Sequence, residues 1–398
     1  MTPEFEERLK KAVDDGLLPN VVVLAKDKSG KIDYSFSHGP TALVPDADPV
    51  TPFTLFTMAS MSKLITSLCI LLLIQDNFLK VDEDITKYVP ELADQPVLTG
   101  FDADGKPQYT ERKGPITVRH LLTHTAGAGY ILMDERLARW AKATGKKLPL
   151  PLRHGEDRKV APSLETRFAY PLLFEPGEGW VYGTGLDWAG RLLEKLTGAF
   201  FDDFVAERVL DPVGVAKGGI TFHPGRFMPS EQLIAGMSKR NPQTGKVEFM
   251  ETEIDNEGDA LGGEGLFGGM GEYMKVLYSL LMDDGKIVRP ELAKLLFQGF
   301  LKPTEKEALN KSMETPEWAV GVIPKADYDW SLGGLLTTHD VGHRKRGFLQ
   351  WGGAWNMAWF IDRESGVCGV FGTQVFPPGD PVVRSYMKEF EDVLYSKL

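Results

Sequence analysis

Strand-like segments lie at both ends of this chain, with helix-like segments between them. Residues 21–25 and 31–36 form one predicted strand pair around a Lys28-Ser29-Gly30 turn, and four more strands are predicted near the C-terminus, at 318–322, 347–351, 356–361 and 366–374. Predicted helices occupy 1–16, 60–76, 118–123, 134–144, 185–197, 201–209, 270–282 and a stretch from about residue 381. Because strands from both ends can join in one sheet, the pattern predicts an α/β fold with flanking helices.

The same pattern predicts how the chain is divided. Residues 1–80 and 270–398 form the predicted α/β sheet domain, and residues 81–269 form a mostly helical inserted domain. The 398 residues, of which 42% are hydrophobic, provide enough core for one large or two medium domains. A cleft between the two domains is the expected place for a binding site.

The net charge of the chain and its apolar runs limit which partners the protein is expected to bind and where it is expected to reside. The formal net charge is −11 with a sequence pI of about 5.3, which argues against nucleic-acid or anionic-membrane binding because phosphates bind Lys and Arg. The longest apolar run, 64–74, is too short to span a membrane, and the charged first 16 residues do not resemble a secretory signal. We therefore expect a soluble, cytoplasmic protein. Cys69 and Cys368 lie among apolar residues, so both are expected to be buried and reduced.

The segment Ser60-Met61-Ser62-Lys63 opens the most apolar predicted helix and matches the pattern S-x-x-K. Residues three apart share a helix face, so the Lys63 amine can approach the Ser60 hydroxyl and take its proton. A lysine serves as such a base only where burial or nearby cations disfavour its charged form. The alternative is an N-cap serine beside an ordinary surface-directed lysine. The same spacing recurs at 385–388 in the last amphipathic helix, where an exposed serine and lysine are expected.

Two further features give weaker chemical signals. His120 and His124 are spaced as metal ligands on one helix face could be, but no H-E-x-x-H glutamate accompanies them and the helix ends near Thr123. We expect structural hydrogen bonds from both histidines, and no metal. The glycine-dense stretch 262–271 lacks the Lys-Ser/Thr of a phosphate loop, so it predicts a tight passage of the backbone beside the site and no cofactor.

Three motifs along the chain resemble a known family. Residues 116–127, ITVRHLLTHTAG, are similar to the signature that follows S-x-x-K in class C β-lactamases and in their esterase relatives, the family VIII esterases. Residues 175–177 and 180–184 are similar to that family's P-G-x-x-x-x-Y stretch, and Trp351-Gly352-Gly353 precedes a strand as the third motif does. Within this superfamily, the stretches at 96–102, 182–190 and 273–277 look most like the lovastatin-type acyltransferases.

The resemblance implies a β-lactamase/penicillin-binding-protein-like fold and gives roles to individual residues. It makes Ser60 the nucleophile, Lys63 its partner on the helix face, and Tyr182 the second member of the base system. The oxyanion hole would consist of the backbone N–H groups of Ser60 and Ala354, and fixed donors of this kind supply a large part of the rate enhancement in acyl transfer. Which of Lys63 and Tyr182 is the main base stays open.

Two departures from the family's pattern bear on the substrate. The lactamase sequence Tyr-Ser-Asn is here Tyr182-Gly183-Thr184, so the Asn that contacts a lactam side-chain amide is missing. The lactamase Lys-Thr-Gly is here Trp351-Gly352-Gly353, so the cation that pairs with the lactam carboxylate is lost. Both changes argue against antibiotic hydrolysis and favour a neutral, bulky acyl ester.

The remaining predictions concern the pocket and a partner. Tyr130 and the Trp351-Gly352-Gly353 segment are predicted to contact substrate. Trp355 and Trp359 could line the same pocket or, equally well, pack in the core. The basic run Arg344-Lys345-Arg346 is either a solvated turn or a contact for an acidic acyl-carrier protein or its phosphopantetheine phosphate.

Taken with the resemblance, these features predict a serine ester hydrolase or transesterase. It would act on acyl esters or thioesters of a polyketide-type secondary metabolite and transfer the acyl group to a secondary alcohol. A pure carboxylesterase is the nearest alternative. More remote alternatives are a β-lactamase or peptidase and a non-catalytic binding protein of the same fold.

Overall fold

The computed structural model describes residues 1–146, 163–227, 234–252 and 258–398. The strands are β1 (Val21–Asp27), β2 (Asp33–His38), β3 (Phe56–Thr57), β4 (Val97–Phe101), β5 (Pro107–Thr110), β6 (Ile220–Thr221), β7 (Ser238–Arg240), β8 (Val247–Phe249), β9 (Phe267–Gly268), β10 (Tyr328–Trp330), β11 (Leu335–Thr337), β12 (Leu349–Gly353), β13 (Met357–Asp362), β14 (Val367–Gly372) and β15 (Val375–Phe376). The α-helices are α1 (Pro3–Asp14), α2 (Ser62–Gln75), α3 (Pro90–Ala93), α4 (Val118–Leu122), α5 (Glu135–Thr144), α6 (Leu164–Phe168), α7 (Gly185–Thr197), α8 (Phe201–Val205), α9 (Met270–Met282), α10 (Pro290–Ala293), α11 (Pro303–Ser312) and α12 (Pro381–Tyr395).

The main sheet has seven strands in the order β10-β11-β12-β13-β14-β1-β2, and every neighbouring pair is antiparallel. The N-terminal hairpin β1–β2 therefore joins the edge of a C-terminal meander, with Val22 opposite Gly372. The prediction that both chain ends build one sheet is confirmed. The predicted hairpin at 362–365 is confirmed too, because β13 and β14 pair on either side of it.

Helices cover both faces of this sheet. Strand β1 is almost entirely buried, and its side chains alternate between the two faces. Val21 and Val23 pack in one core with α1 and α12, whereas Val22 and Leu24 belong to the larger core on the opposite face, where α9 lies against β1 and β14. This layering leaves strands β1, β12, β13 and β14 buried on both sides, as their apolar sequences require, whereas the edge strand β2 is partly exposed.

Helix α2 lies in the larger core and packs against α7 and α8. All of its residues from Ser62 to Leu73 are buried, which explains why its sequence is apolar on every side. Within the ranges that the structure describes, no helix combines the length and apolar character that crossing a membrane requires. Cys69 on α2 and Cys368 on β14 are free thiols in this core, as predicted.

Some strand predictions were wrong. Residues 318–322 are apolar but do not form a strand; a 3₁₀ turn, Pro316–Trp318, leads into irregular chain in which Gly321 has φ of +108°. That conformation favours glycine and breaks a strand. Strands β10 and β11 were not predicted because three residues are too few to show a period. For the same reason, β6 to β9, of two or three residues each, were missed, and the longer β4 and β5 were missed as well. The domain boundaries stay a prediction.

Candidate active site

Ser60 lies on a tight turn between β3 and α2. The turn is a 3₁₀ helix, Ala59–Met61, so the α-helix begins at Ser62, two residues later than predicted. Ala59 has φ of +46°, which a residue with a Cβ rarely adopts and which indicates a strained turn. The Ser62 hydroxyl holds the turn by donating to the Ala59 carbonyl (2.6 Å) and accepting from the Leu266 N–H (3.0 Å). Ser60 is thereby fixed at the start of α2, partly exposed to a cavity.

Lys63 follows three residues later, in the first turn of α2, and is buried. Its Nζ donates to Ser60 Oγ (3.2 Å), to the Tyr130 hydroxyl (3.1 Å) and to the Gly263 carbonyl (2.7 Å). An ammonium group has three N–H donors, and these three acceptors take all of them. The amine is therefore positioned to receive the Ser60 proton and to be held as an ammonium afterwards.

Tyr182 joins this group through its ring. Lys63 Nζ lies 4.7 Å from the centroid of the Tyr182 ring, a cation–π distance. The Tyr182 hydroxyl accepts a hydrogen bond from Trp351 Nε1 (2.9 Å), and among the described residues it has none with Ser60 or Lys63. The structure thus brings Ser60, Lys63 and Tyr182 together, with the phenol oxygen turned toward Trp351.

Tyr130 occupies the position beside Lys63 that the sequence suggested for Tyr182. Besides accepting from Lys63, its hydroxyl donates to Asp187 Oδ2 (3.2 Å). Burial, with the nearby Asp187 and Glu264 carboxylates, raises the pKa of Tyr130 well above its usual range, so this phenol keeps its proton. Tyr130 also lines the cavity, as predicted, but its link to Lys63 was not foreseen.

Asp187 is a site residue that sequence reasoning missed. It lies in the first turn of α7, is completely buried, and accepts from Tyr130 and from the Gly263 N–H (2.8 Å). Burial, then the Glu264 carboxylate, raises the pKa of Asp187 above its usual range. An acidic residue in the first turn of a helix is ordinary. Only the position of Asp187 among apolar neighbours could have indicated that it belongs to the site.

Glycines let the backbone pass close to these side chains. A Cβ added at Gly263 would overlap the Asp187 carboxylate, and one added at Gly353 would overlap the Met58 carbonyl just before the Ser60 turn. The tight passage predicted for the 262–271 stretch is confirmed by the hydrogen bonds that Gly263 makes to Lys63 and Asp187.

Strand β12 carries the third motif to the site. It pairs with β13 along its whole length, with Trp351 opposite Trp359 and Gly353 opposite Met357. Strand β11, on its other side, pairs only with Leu349 and Gln350, so the backbone edge from Trp351 to Gly353 has no strand partner among the described residues. This edge ends at Ala354, which lines the cavity together with Ser60.

The cavity has a volume of about 520 Å³ and a mostly apolar wall. Six of the predicted site residues line it: Ser60, Tyr130, Tyr182, Trp351, Gly352 and Ala354. Its other walls include aromatic side chains that the sequence did not single out, Phe168, Tyr170 and Trp318. Among the described residues, the charged members of the lining are Arg167 and Glu264, which form an ion pair (2.5 Å). The cavity therefore suits an uncharged, bulky group.

The two histidines make structural hydrogen bonds, as predicted. His120 completes a capping box with Thr117 at the start of α4. His124 lies beyond the helix end with φ of +60°, and its Nδ1 accepts from the Gly183 N–H (3.3 Å). Burial and the nearby Lys63 lower the pKa of His124 well below its usual range, so the ring is neutral.

Trp355, Trp359 and the basic run are not among the residues that line the cavity. Trp359 is buried in the core, and Trp355 packs on Phe376 with ring centroids 6.1 Å apart. Arg344 is buried and ion-paired to Glu391 (2.6 Å), Lys345 pairs with Asp340 (2.9 Å), and Arg346 is exposed. The basic run is therefore two ion pairs and one exposed cation.

The structure shows the surroundings of both departures from the lactamase pattern. A Cβ added at Gly183 would overlap the Ala128 carbonyl, with which this segment forms a close backbone contact. Thr184 is completely buried and begins α7, so its side chain does not reach the cavity. Trp351, which begins the motif that resembles the lactamase Lys-Thr-Gly, donates to the Tyr182 hydroxyl.

Introducing a side chain at Gly183 is expected to destabilise the protein. Gly183→Ala should lower the free energy of unfolding by at least about 2 kcal/mol, because the Cβ meets backbone atoms that cannot turn away. Gly114→Ala is the matched control, since a Cβ there meets no atom within 4 Å and φ is ordinary. Urea unfolding followed by circular dichroism measures both. Equal stability of the two variants would contradict the close packing of the Tyr182 segment.

Comparison with known proteins gives a consistent result. The profile of the family described as Beta-lactamase matches residues 7–391. Monacolin J acid methylbutanoyltransferase of Aspergillus terreus is 32% identical, over 99% of this chain and 95% of that protein, and lovastatin esterase of Penicillium rubens is 34% identical, over 97% and 96%. The unliganded simvastatin synthase (LovD) structure from Aspergillus terreus, a selenomethionyl derivative, superposes with a TM-score of 0.89 at 31% identity, covering 99% of this chain and 98% of that one.

Proposed function

The chain belongs to the β-lactamase family and is a serine hydrolase or acyltransferase of that family, and we propose that it forms an acyl-enzyme on Ser60. The substrates we propose are small-molecule acyl esters or thioesters of a polyketide-type secondary metabolite, with a secondary alcohol as acceptor. The observation that carries the proposal is the 3.2 Å contact of Lys63 Nζ with Ser60 Oγ beside an apolar cavity.

In the first half-reaction, Ser60 Oγ attacks the acyl carbonyl and its proton moves to Lys63. The oxyanion is stabilised by the backbone N–H groups of Ser60 and Ala354, and each such donor is worth about 10²–10³ in rate. When the tetrahedral intermediate collapses, the bond between the acyl carbon and the leaving oxygen or sulfur breaks. The leaving group takes the proton from Lys63, and the acyl group stays on Ser60.

In the second half-reaction, an acceptor hydroxyl attacks the acyl-enzyme and gives its proton to Lys63. Collapse of this second intermediate releases the new ester and returns the proton to Ser60 Oγ. Tyr182 supports both steps by placing its ring against the Lys63 ammonium, a favourable contact for a cation. Trp351 fixes Tyr182 through the bond to its hydroxyl.

Hydrolysis is the second candidate function, and one comparison favours it. Lovastatin esterase shares 34% of its residues with this chain. Water and an alcohol attack the same acyl-enzyme, so the shape and the wetness of the cavity decide between them. Its apolar wall, in which Arg167 and Glu264 neutralise each other, favours an organic acceptor over water.

The test follows nitrophenol release and product formation from p-nitrophenyl butyrate, with and without a bulky secondary alcohol. We expect the wild type to release nitrophenol and, with the alcohol present, to yield its butyrate ester. Formation of butyrate alone would identify a hydrolase. A chromogenic lactam serves as the counter-assay, and its turnover at a rate similar to that of the ester would contradict an ester-specific site.

We also propose, from the exposed end of the basic run, that an acyl-carrier protein can deliver the acyl group. Arg344 is buried in its ion pair, so within this run an acidic partner can reach Arg346, which is exposed, and Lys345, whose side chain is partly exposed in its pair with Asp340. Replacing both by Gln should lower kcat/KM about tenfold for a carrier-bound thioester while leaving a small thioester unaffected. Equal rates with the carrier-bound thioester in both proteins would remove the carrier from the proposal.

A further inference from the structure

A chain of hydrogen bonds runs from the nucleophile to a buried carboxylate. Ser60 Oγ accepts from Lys63 Nζ (3.2 Å), Lys63 Nζ also donates to the Tyr130 hydroxyl (3.1 Å), and that hydroxyl donates to Asp187 Oδ2 (3.2 Å). Asp187 is completely buried, so its other contacts are fixed as well. Its second oxygen accepts from the N–H of Gly263, whose carbonyl accepts from Lys63. Asp187 is thus linked to Lys63 by two separate routes.

We infer that Asp187 is a positioning residue that acts through Tyr130 and Gly263 to hold Lys63 and to balance its positive charge when it takes the Ser60 proton. This inference rests on the proposed function of Ser60 and Lys63 and deepens it. Asp187 itself lies beyond Tyr130 and does not touch the reacting atoms.

The distribution of charge around Lys63 supports this role. A buried ammonium is costly unless a negative charge compensates it. The groups that face Asp187 are Lys63, Tyr130, Tyr170, Glu264 and Arg167. Glu264 is already ion-paired to Arg167 (2.5 Å), which leaves Asp187 as the carboxylate connected to Lys63 by hydrogen bonds among the described residues.

The hydrogen-bond directions agree with this assignment. Tyr130 keeps its proton because burial and the Asp187 carboxylate raise its pKa, so it can donate to Asp187 while accepting from Lys63. Burial also raises the pKa of Asp187, and the nearby Lys63 opposes this rise because a positive charge favours the ionised carboxylate. A proton that arrives on Lys63 is therefore best tolerated when Asp187 is ionised.

Asp187→Asn removes the charge and keeps an oxygen that can accept from Gly263. Without the negative charge, protonated Lys63 is less stable, so the variant should reach its deprotonated, active form at lower pH. The acidic limb of the pH profile of kcat/KM should therefore move to lower pH, by about one unit or more. The plateau of kcat should fall about 10- to 100-fold, since the ammonium formed during attack is stabilised less.

Asp362→Asn is the matched control. Asp362 is also completely buried, and it also accepts from a tyrosine hydroxyl, that of Tyr395 (2.7 Å), and from backbone N–H groups. It lies at the far end of β13 from Met357, the residue that faces Gly353 beside the Ser60 turn. This variant should lose stability and keep the wild-type pH profile.

The experiment measures kcat and kcat/KM for p-nitrophenyl butyrate from pH 5 to 9, with unfolding in urea as the check on folding. Tyr130→Phe breaks the same route at its middle and is the second variant if Asp187→Asn does not fold. We expect Tyr130→Phe to shift the acidic limb in the same direction. The double variant should be little less active than either single variant, because both changes interrupt the same connection, the route through Tyr130.

An unchanged acidic limb in both Asp187→Asn and Tyr130→Phe would overturn the inference and leave Asp187 as a support for the Gly263 segment. Activity of the wild type and its loss in Ser60→Ala would still uphold the proposed function in that case. Failure of the proposed function would appear differently, as activity that does not depend on Ser60.

Discussion

Ser60→Ala is expected to lower kcat for p-nitrophenyl butyrate by at least about 10⁴-fold, because an alanine offers no atom for the acyl group. The change removes one hydroxyl from a turn that is held by Ser62 and Leu266, so the fold should survive. Substrate binding should persist as well, since the cavity wall is otherwise intact. Initial rates measured over a range of ester concentrations separate loss of kcat from a change in KM.

The chain supplies a control for this experiment. Ser385 begins the second S-x-x-K segment, on α12, where its hydroxyl donates to the Val382 carbonyl (2.6 Å) and is exposed. Ser385→Ala should keep wild-type activity within about twofold, as surface substitutions usually do. Full activity in Ser60→Ala, or a comparable loss of activity in Ser385→Ala, would show that the S-x-x-K segment at residue 60 had been wrongly assigned as the site of the nucleophile.

Replacing Lys63 should have the second-largest effect. Lys63→Ala removes the only amine that contacts Ser60 among the described residues, and we expect kcat to fall about 10³-fold, within the range for a lost general base. It also leaves a space beside Ser60, Tyr130 and Gly263. A small primary amine in the assay should enter that space and restore part of the rate.

Two further variants test whether the amine itself is needed. Lys63→Met fills the space with an apolar chain of similar length, so added amine should restore nothing. Lys388→Met, in the second S-x-x-K segment, removes an exposed lysine that pairs with Asp392, and it should be as active as the wild type. Undiminished turnover by Lys63→Met would rule out Lys63 as a base and leave Tyr182 or Tyr130 to be tested.

Patterns that repeat along the chain were enough to predict the sheet and the longer helices. Helices α7 and α9 have the bounds that the sequence predicted, Gly185–Thr197 and Met270–Met282, because each has a long apolar stripe. Residues 318–322 misled, since an apolar run does not reveal that Gly321 turns the chain. Elements of two or three residues, such as β10 and β11, are set by tertiary contacts and carry no local signal.

For the candidate site, spacing and resemblance predicted the residues that meet but not their hydrogen bonds. The i, i+3 spacing placed Lys63 beside Ser60, as the 3.2 Å contact bears out. The sequence could not show that Tyr130, from a loop, would bind Lys63 while Tyr182 turned its hydroxyl toward Trp351. Asp187 was missed because its contact with Gly263 depends on a close approach of two distant segments.

The most direct test of the central claim is to trap the acyl-enzyme. The wild type is mixed with p-nitrophenyl butyrate, quenched with acid at short times, and analysed by intact-protein and peptide mass spectrometry. We expect one butyryl group per chain, on the peptide that contains Ser60, and none in Ser60→Ala. A butyryl group on another residue, or turnover with no adduct at any time, would contradict a covalent mechanism at Ser60.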